Sequence, residues 1–129
     1  MDVKVTASGN GPGIDWDIDG KRPKESKMHF EKGTGPHTIK FKLQDSSGRN
    51  LKFDPAGPIW DHISETDCPP NGSKSGQIGV VKCDDNMLTI TNANSGDECT
   101  LHYQLNFVDG DGGAQPVDPI FHNGGGGFQ

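Results

Sequence analysis

Polar and apolar residues alternate with period two through much of this chain, and that pattern predicts strands. Val3, Val5 and Ala7 alternate with Asp2, Lys4 and Thr6 until Gly9-Asn10-Gly11-Pro12-Gly13 ends the run. Ile14, Trp16 and Ile18 alternate with Asp15, Asp17 and Asp19, which puts the apolar side chains on one face and the carboxylates on the other. A short strand is expected over 27–31. Residues 37–44 point Ile39, Phe41 and Leu43 one way and Thr38, Lys40 and Lys42 the other. The polar run 45–50 then leads to Leu51 and Phe53 around Lys52, which reads as a hairpin. In that hairpin Lys40, Lys42 and Lys52 share an outer face, where pairing with Asp15, Asp17 and Asp19 would make a structural ladder.

The stretch 54–76 is the least regular. Ile59, Trp60 and Ile63 fit a short buried strand or a single helical turn, and Cys68-Pro69-Pro70-Asn71-Gly72 reads as a loop. Residues 77–83 carry Ile78, Val80 and Val81 on both faces and so read as a central strand. Asp84-Asp85-Asn86 turns the chain into 87–92, with Leu88 and Ile90 inward. The longest strand is 99–108, where Leu101, Tyr103, Leu105 and Phe107 oppose His102, Gln104 and Asn106. After a loop at 109–115, Val117, Ile120 and Phe121 suggest a short last strand.

About seven to nine short strands predict an all-β fold, a two-layer antiparallel β-sandwich with Greek-key connections. Immunoglobulin-like, cupredoxin-like and jelly-roll topologies all fit. The immunoglobulin order of a core tryptophan between paired cysteines is missing, because Trp16 and Trp60 both precede Cys68. The expected organisation is one domain over 1–123 and a flexible glycine-rich tail over 124–129.

Composition supports strands over helices. Ala7, Ala56, Ala93 and Ala114 are the only alanines, against 19 glycines. The formal net charge of -6 argues against nucleic acid and against anionic membrane surfaces as partners. No apolar run reaches the length of a signal-peptide core or a membrane span, so the expected location is cytoplasmic. Cys68, Cys83 and Cys99 allow one bridge with one free thiol, or three free thiols; in the cytoplasm free thiols are the default.

Candidate chemistry is sparse. Asp15-x-Asp17-x-Asp19-Gly20 resembles the opening of an EF-hand loop, but Pro23 lies inside it and its twelfth position is Ser26, where a bidentate glutamate belongs. The strand face explains those aspartates better. Asp109-Gly110-Asp111-Gly112-Gly113, with Asp118 nearby, is a second acidic loop; if calcium binds, Asp109, Asp111 and Asp118 are its expected ligands. Copper lacks support: Cys99 and His102 fall on opposite faces of one strand, and no methionine follows Met87. Zinc fares no better, because no cysteine pair has ligand spacing and His29, His37, His62, His102 and His122 are scattered. The G-x-S-x-G elbow is absent, and Gly124 to Gly127 lack the lysine of a phosphate loop. Trp16, Trp60 and Tyr103 would suit a sugar platform, yet Trp16 and Tyr103 occupy core-facing registers.

The segment Asp118-Pro119-Ile120-Phe121-His122-Asn123-Gly124 resembles the end of small uncharacterised bacterial β-sandwich proteins of the DP-EP family. The resemblance covers that tail and the general strand pattern. It implies a β-sandwich, implies no established activity and carries no functional residue over. The leading expectation is therefore a non-enzymatic binding or assembly domain without a cofactor, meeting a protein partner or another copy through a sheet edge or loop tips. A calcium-binding sandwich acting through 109–118 is the alternative. An enzyme with a composite site is the third, to be recognised by a histidine or cysteine within hydrogen-bond reach of a carboxylate.

Overall fold

A computed structural model describes residues 1–9, 13–63, 75–96 and 98–125, without the side chains of Lys24, His62 and Ile63. Alternation becomes strands as expected: β1 (Asp2–Gly9), β2 (Ile14–Ile18), β3 (Lys27–Phe30), β4 (His37–Ser46), β5 (Lys52–Phe53), β6 (Ile59–Ile63), β7 (Ile78–Cys83), β8 (Met87–Asn92), β9 (Cys99–Val108), β10 (Ala114–Val117) and β11 (Ile120–Asn123). A 3-10 turn, Pro23–Glu25, links β2 to β3. One sheet has the order β2-β1-β4-β8-β7; the other holds six strands around β9. Their apolar faces meet in one core. Val3, Val5, Ile39, Phe41, Leu88 and Ile90 from the first sheet pack against Leu101, Tyr103, Leu105, Phe107 and Phe121 from the second.

The sheets are mixed, which corrects the expected antiparallel sandwich. β1 runs parallel to β4, and β3 runs parallel to β11. Alternation sets which face of a strand is buried and is indifferent to strand direction. Among the described residues the strands number eleven, because both flanks of β9 are broken by proline. On one flank Pro119 separates β10 from β11; on the other Pro55 and Pro58 separate β5 from β6. Proline cannot donate to a ladder, but its carbonyl can accept. Tyr103 N donates to Pro119 O at 3.1 Å and Asn106 N to Pro58 O at 2.9 Å, so β9 stays bonded across both breaks.

Three further expectations change. The segments 37–44 and 51–53 are not a hairpin: β4 lies in the first sheet, and β5 pairs with β9 in the second. The Asp45 carboxylate shapes that crossover by accepting from Ser47 N at 2.8 Å and Leu51 N at 2.9 Å. It delivers Phe53 onto Phe107, with ring centroids 4.5 Å apart. The lysine ladder fails with the hairpin. Lys52 sits in the other sheet, β1 stands between β2 and β4, and Lys42 pairs with Asp2 at 3.0 Å. Finally, β7 is an edge strand and not a central one, with Val80 and Val81 exposed beside a register shift between Val80 and Lys82.

The C-terminal segment is built into the sandwich. Phe121 is fully buried, and Ile120 N donates to Ser26 O at 3.0 Å. Asn123 exchanges two 2.8 Å amide hydrogen bonds with Asn92 of the opposite sheet. Gly124 N donates to Phe30 O, and Gly125 N to the Asn94 side chain, each at 2.8 Å; the rest of the expected tail, 126–129, lies outside the described residues. Among the described residues no helix is long and apolar enough to cross a membrane.

Candidate functional site

An open depression lies where the two sheets part company. β2 is the outer strand of the first sheet, and β10 is a short strand on the flank of β9. Between them, closed at one end by the 3-10 turn, is an open cleft of about 790 Å³. Its apolar surface comes from Ile14, Trp16, Pro23, Pro116 and Val117. Asp15, Asp17, Glu25 and Asp118 add four carboxylates, against the single guanidinium of Arg22.

Each contributor is placed by local sequence. Period two on β2 leaves Asp15 and Asp17 exposed while Ile18 is buried. Trp16 is half-buried because its ring stacks on Phe107, with centroids 4.8 Å apart and planes 27° apart, which holds the indole at the cleft base. Pro23 opens the turn, and Glu25 N donates to Arg22 O at 2.9 Å, so Arg22 and Glu25 face the same opening. Asp19 belongs elsewhere: its carboxylate accepts from Lys4 N at 2.8 Å and ties β2 to β1. Among the described residues no serine, cysteine, histidine or lysine lines the cleft.

The three aspartates expected as calcium ligands do not come together. Asp109 is an organiser of its own loop. Its Oδ1 accepts from Gly113 N at 2.8 Å and Asp111 N at 2.9 Å, and Gln115 reaches its Oδ2 at 3.4 Å. These donors, Gly113 foremost, hold its carboxyl below the usual carboxylate range. Asp109 and Asp111 border a recess of about 260 Å³ with Arg49 and Asn50, whereas Asp118 lines the larger cleft. Among the described residues no group of three histidine, cysteine, aspartate or glutamate side chains is disposed to hold a metal ion.

Sequence reading missed one constellation. The parallel register of β3 and β11 sets His29 directly opposite His122. Their Nδ1 atoms are 2.7 Å apart, with ring centroids 4.8 Å apart and planes 13° from parallel. His122 Nε2 lies 2.9 Å from Glu98 and His29 Nε2 lies 3.4 Å from Glu31. Nothing local in the sequence signals a pair separated by 93 positions; only the strand register creates it. The other described histidine sites are separate: His37 contacts Thr34 at 2.9 Å, and His102 is buried on β9.

Cys83 and Cys99 are free and half-buried. Burial pushes both thiols up, helped at Cys83 by Asp84, Asp54 and Asp85, so neither is primed as a thiolate. Cys68 and its loop lie outside the described residues. No protein-family model and no curated protein matches the chain.

Proposed function

We propose that this chain is a non-enzymatic binding domain, and that the cleft between β2 and β10 takes up an extended basic peptide. One observation carries the reading: four carboxylates and one guanidinium surround an ordered tryptophan in a cleft of about 790 Å³. That volume is in the range of ligand-binding clefts. The charge imbalance selects cations, and an indole face suits an arginine or lysine side chain stacked upon it. The outer edge of β2 also has backbone groups that an extended chain can pair with, as in strand addition. β7 is the poorer docking edge, since its bulge and Lys82 blunt it.

Trp16 supplies the readout. In a Trp60→Phe background its fluorescence is titrated with hexa-arginine and with hexa-glutamate. The expected result is saturable binding of the arginine peptide only, weakened by added salt. Asp15→Asn and Asp17→Asn should each weaken it by about two- to fivefold, the scale of one exposed ion pair. Equal response to both peptides, or no loss in the two asparagine variants, would overturn the reading.

A further inference from the structure

The pair His29 and His122 is a seat for a divalent transition-metal ion, we infer, independent of the cleft. Each ring has its Nε2 beside a carboxylate, Glu98 for His122 at 2.9 Å and Glu31 for His29 at 3.4 Å. A carboxylate accepts only, so it favours the ring proton on Nε2. The remaining nitrogen of each ring, Nδ1, then presents a lone pair. Those two lone pairs face each other across 2.7 Å. Two facing lone pairs repel, so the contact needs a proton or a metal ion between the nitrogens.

The arrangement matches what metal-binding histidines require. One ring nitrogen ligates while the other donates to a carboxylate, which fixes the tautomer and raises the basicity of the ligand. Here His122 has that hydrogen-bond partner in Glu98, His29 has the looser 3.4 Å contact with Glu31, and the two Nδ1 atoms lie side by side. Bonds of about 2.0–2.1 Å in tetrahedral geometry set the two nitrogens about 3.3 Å apart. The observed pair must open by roughly 0.6 Å to reach that spacing. His29 has room to do so: its side chain is 51% exposed on the outer face of β3. Imidazole nitrogens suit Zn²⁺, Cu²⁺ and Ni²⁺, whereas Ca²⁺ and Mg²⁺ favour oxygen ligands. With two protein nitrogens as inner ligands, the other coordination positions fall to solvent or to a second molecule.

Cu²⁺ is the probe, because its paramagnetic spectrum counts nitrogen ligands. The intact chain is titrated with CuCl₂ and followed by calorimetry and electron paramagnetic resonance, with far-UV circular dichroism to verify folding of each variant. The expected result is one ion per chain with two imidazole nitrogens, displaced by Zn²⁺. His29→Ala and His122→Gln should each lower the affinity at least tenfold and remove one nitrogen from the spectrum. Glu98→Gln should weaken binding by about tenfold with both nitrogens kept, since it changes only the partner of the ligand. A Cu²⁺ affinity and spectrum shared by the wild type and a folded His29→Ala/His122→Gln variant would overturn the inference, as would absence of binding. The pair would then serve only to join β3 to β11.

Discussion

Tyr103 is the residue at which packing and polarity conflict most openly. Its ring lies flat against Phe121, with centroids 4.0 Å apart, and is fully buried. Its hydroxyl has no hydrogen-bond partner among the described residues. A buried hydroxyl left unpaired costs about 1–3 kcal/mol, so the ring must compensate through area and stacking. Removing only the oxygen should therefore be harmless: Tyr103→Phe is expected to match or exceed the wild-type stability, by up to about 1 kcal/mol in urea denaturation. A loss larger than that would mean that the hydroxyl has a partner. Burial, with a smaller contribution from Asp19, also raises the phenol well above its ordinary value of 10.0. The unfolded chain releases that proton first, so the native state keeps its advantage below pH 10 and loses it as pH climbs towards the raised native value. Tyr103→Phe should flatten that alkaline loss, as followed by melting temperature between pH 9 and 11.

At the scale of elements, the end of β11 is held by close backbone approach. A Cβ on Gly124 would lie 2.5 Å from Lys32 N and 2.9 Å from Phe30 O, which are backbone atoms with nowhere to go. Gly124→Ala must push the chain off β3, breaking the bond from Gly124 N to Phe30 O. A loss of about 1–3 kcal/mol is expected from the strain, read as a lower urea midpoint with an unchanged slope. Wild-type stability in that variant would show that the β3–β11 end yields without cost. Glu31 follows β3 at that end, so the variant also tests whether the histidine pair survives a shift of its strands.

For the whole molecule, the question is what ties one sheet to the other beyond apolar burial. Part of the answer is a buried amide cluster. Asn92 of β8 and Asn123 of β11 bond reciprocally, while Asn94 donates to Glu31 O and Thr34 O and accepts from Gly125 N. All three side chains are buried, so each bond replaces water that cannot enter. Cutting Asn92 or Asn123 to alanine strands its partner and should cost about 2–3 kcal/mol. The double variant should cost well under the sum, because the second deletion removes a group already stranded. Additive losses in that cycle would mean that the two amides act separately.

Much of this architecture was legible in the sequence because alternation is a local consequence of burying one face. Leu101, Tyr103, Leu105 and Phe107 on one face of β9, or Leu88 and Ile90 on β8, needed no knowledge of neighbours. Alternation is silent about partners, however, and the errors share that origin. Alternation alone puts Lys52 in a hairpin with β4, β7 at the centre of a sheet and every pair antiparallel, whereas sheet membership and direction are settled by which faces and turns pack together. Asp109 and Asp111 were legible as an acidic loop, but their separation from Asp118 was not. The cleft and the histidine pair were illegible for the same reason. Trp16 and Val117, like His29 and His122, are distant along the chain and meet only when two sheets close and β3 finds β11. Sequence by itself determined where most strands lie and the apolar face each of β1, β4, β8 and β9 buries, because those follow from neighbours along the chain; tertiary structure alone decided order, direction and site, and that β7 is exposed and the polar face of β9 covered, because those depend on contacts between residues far apart.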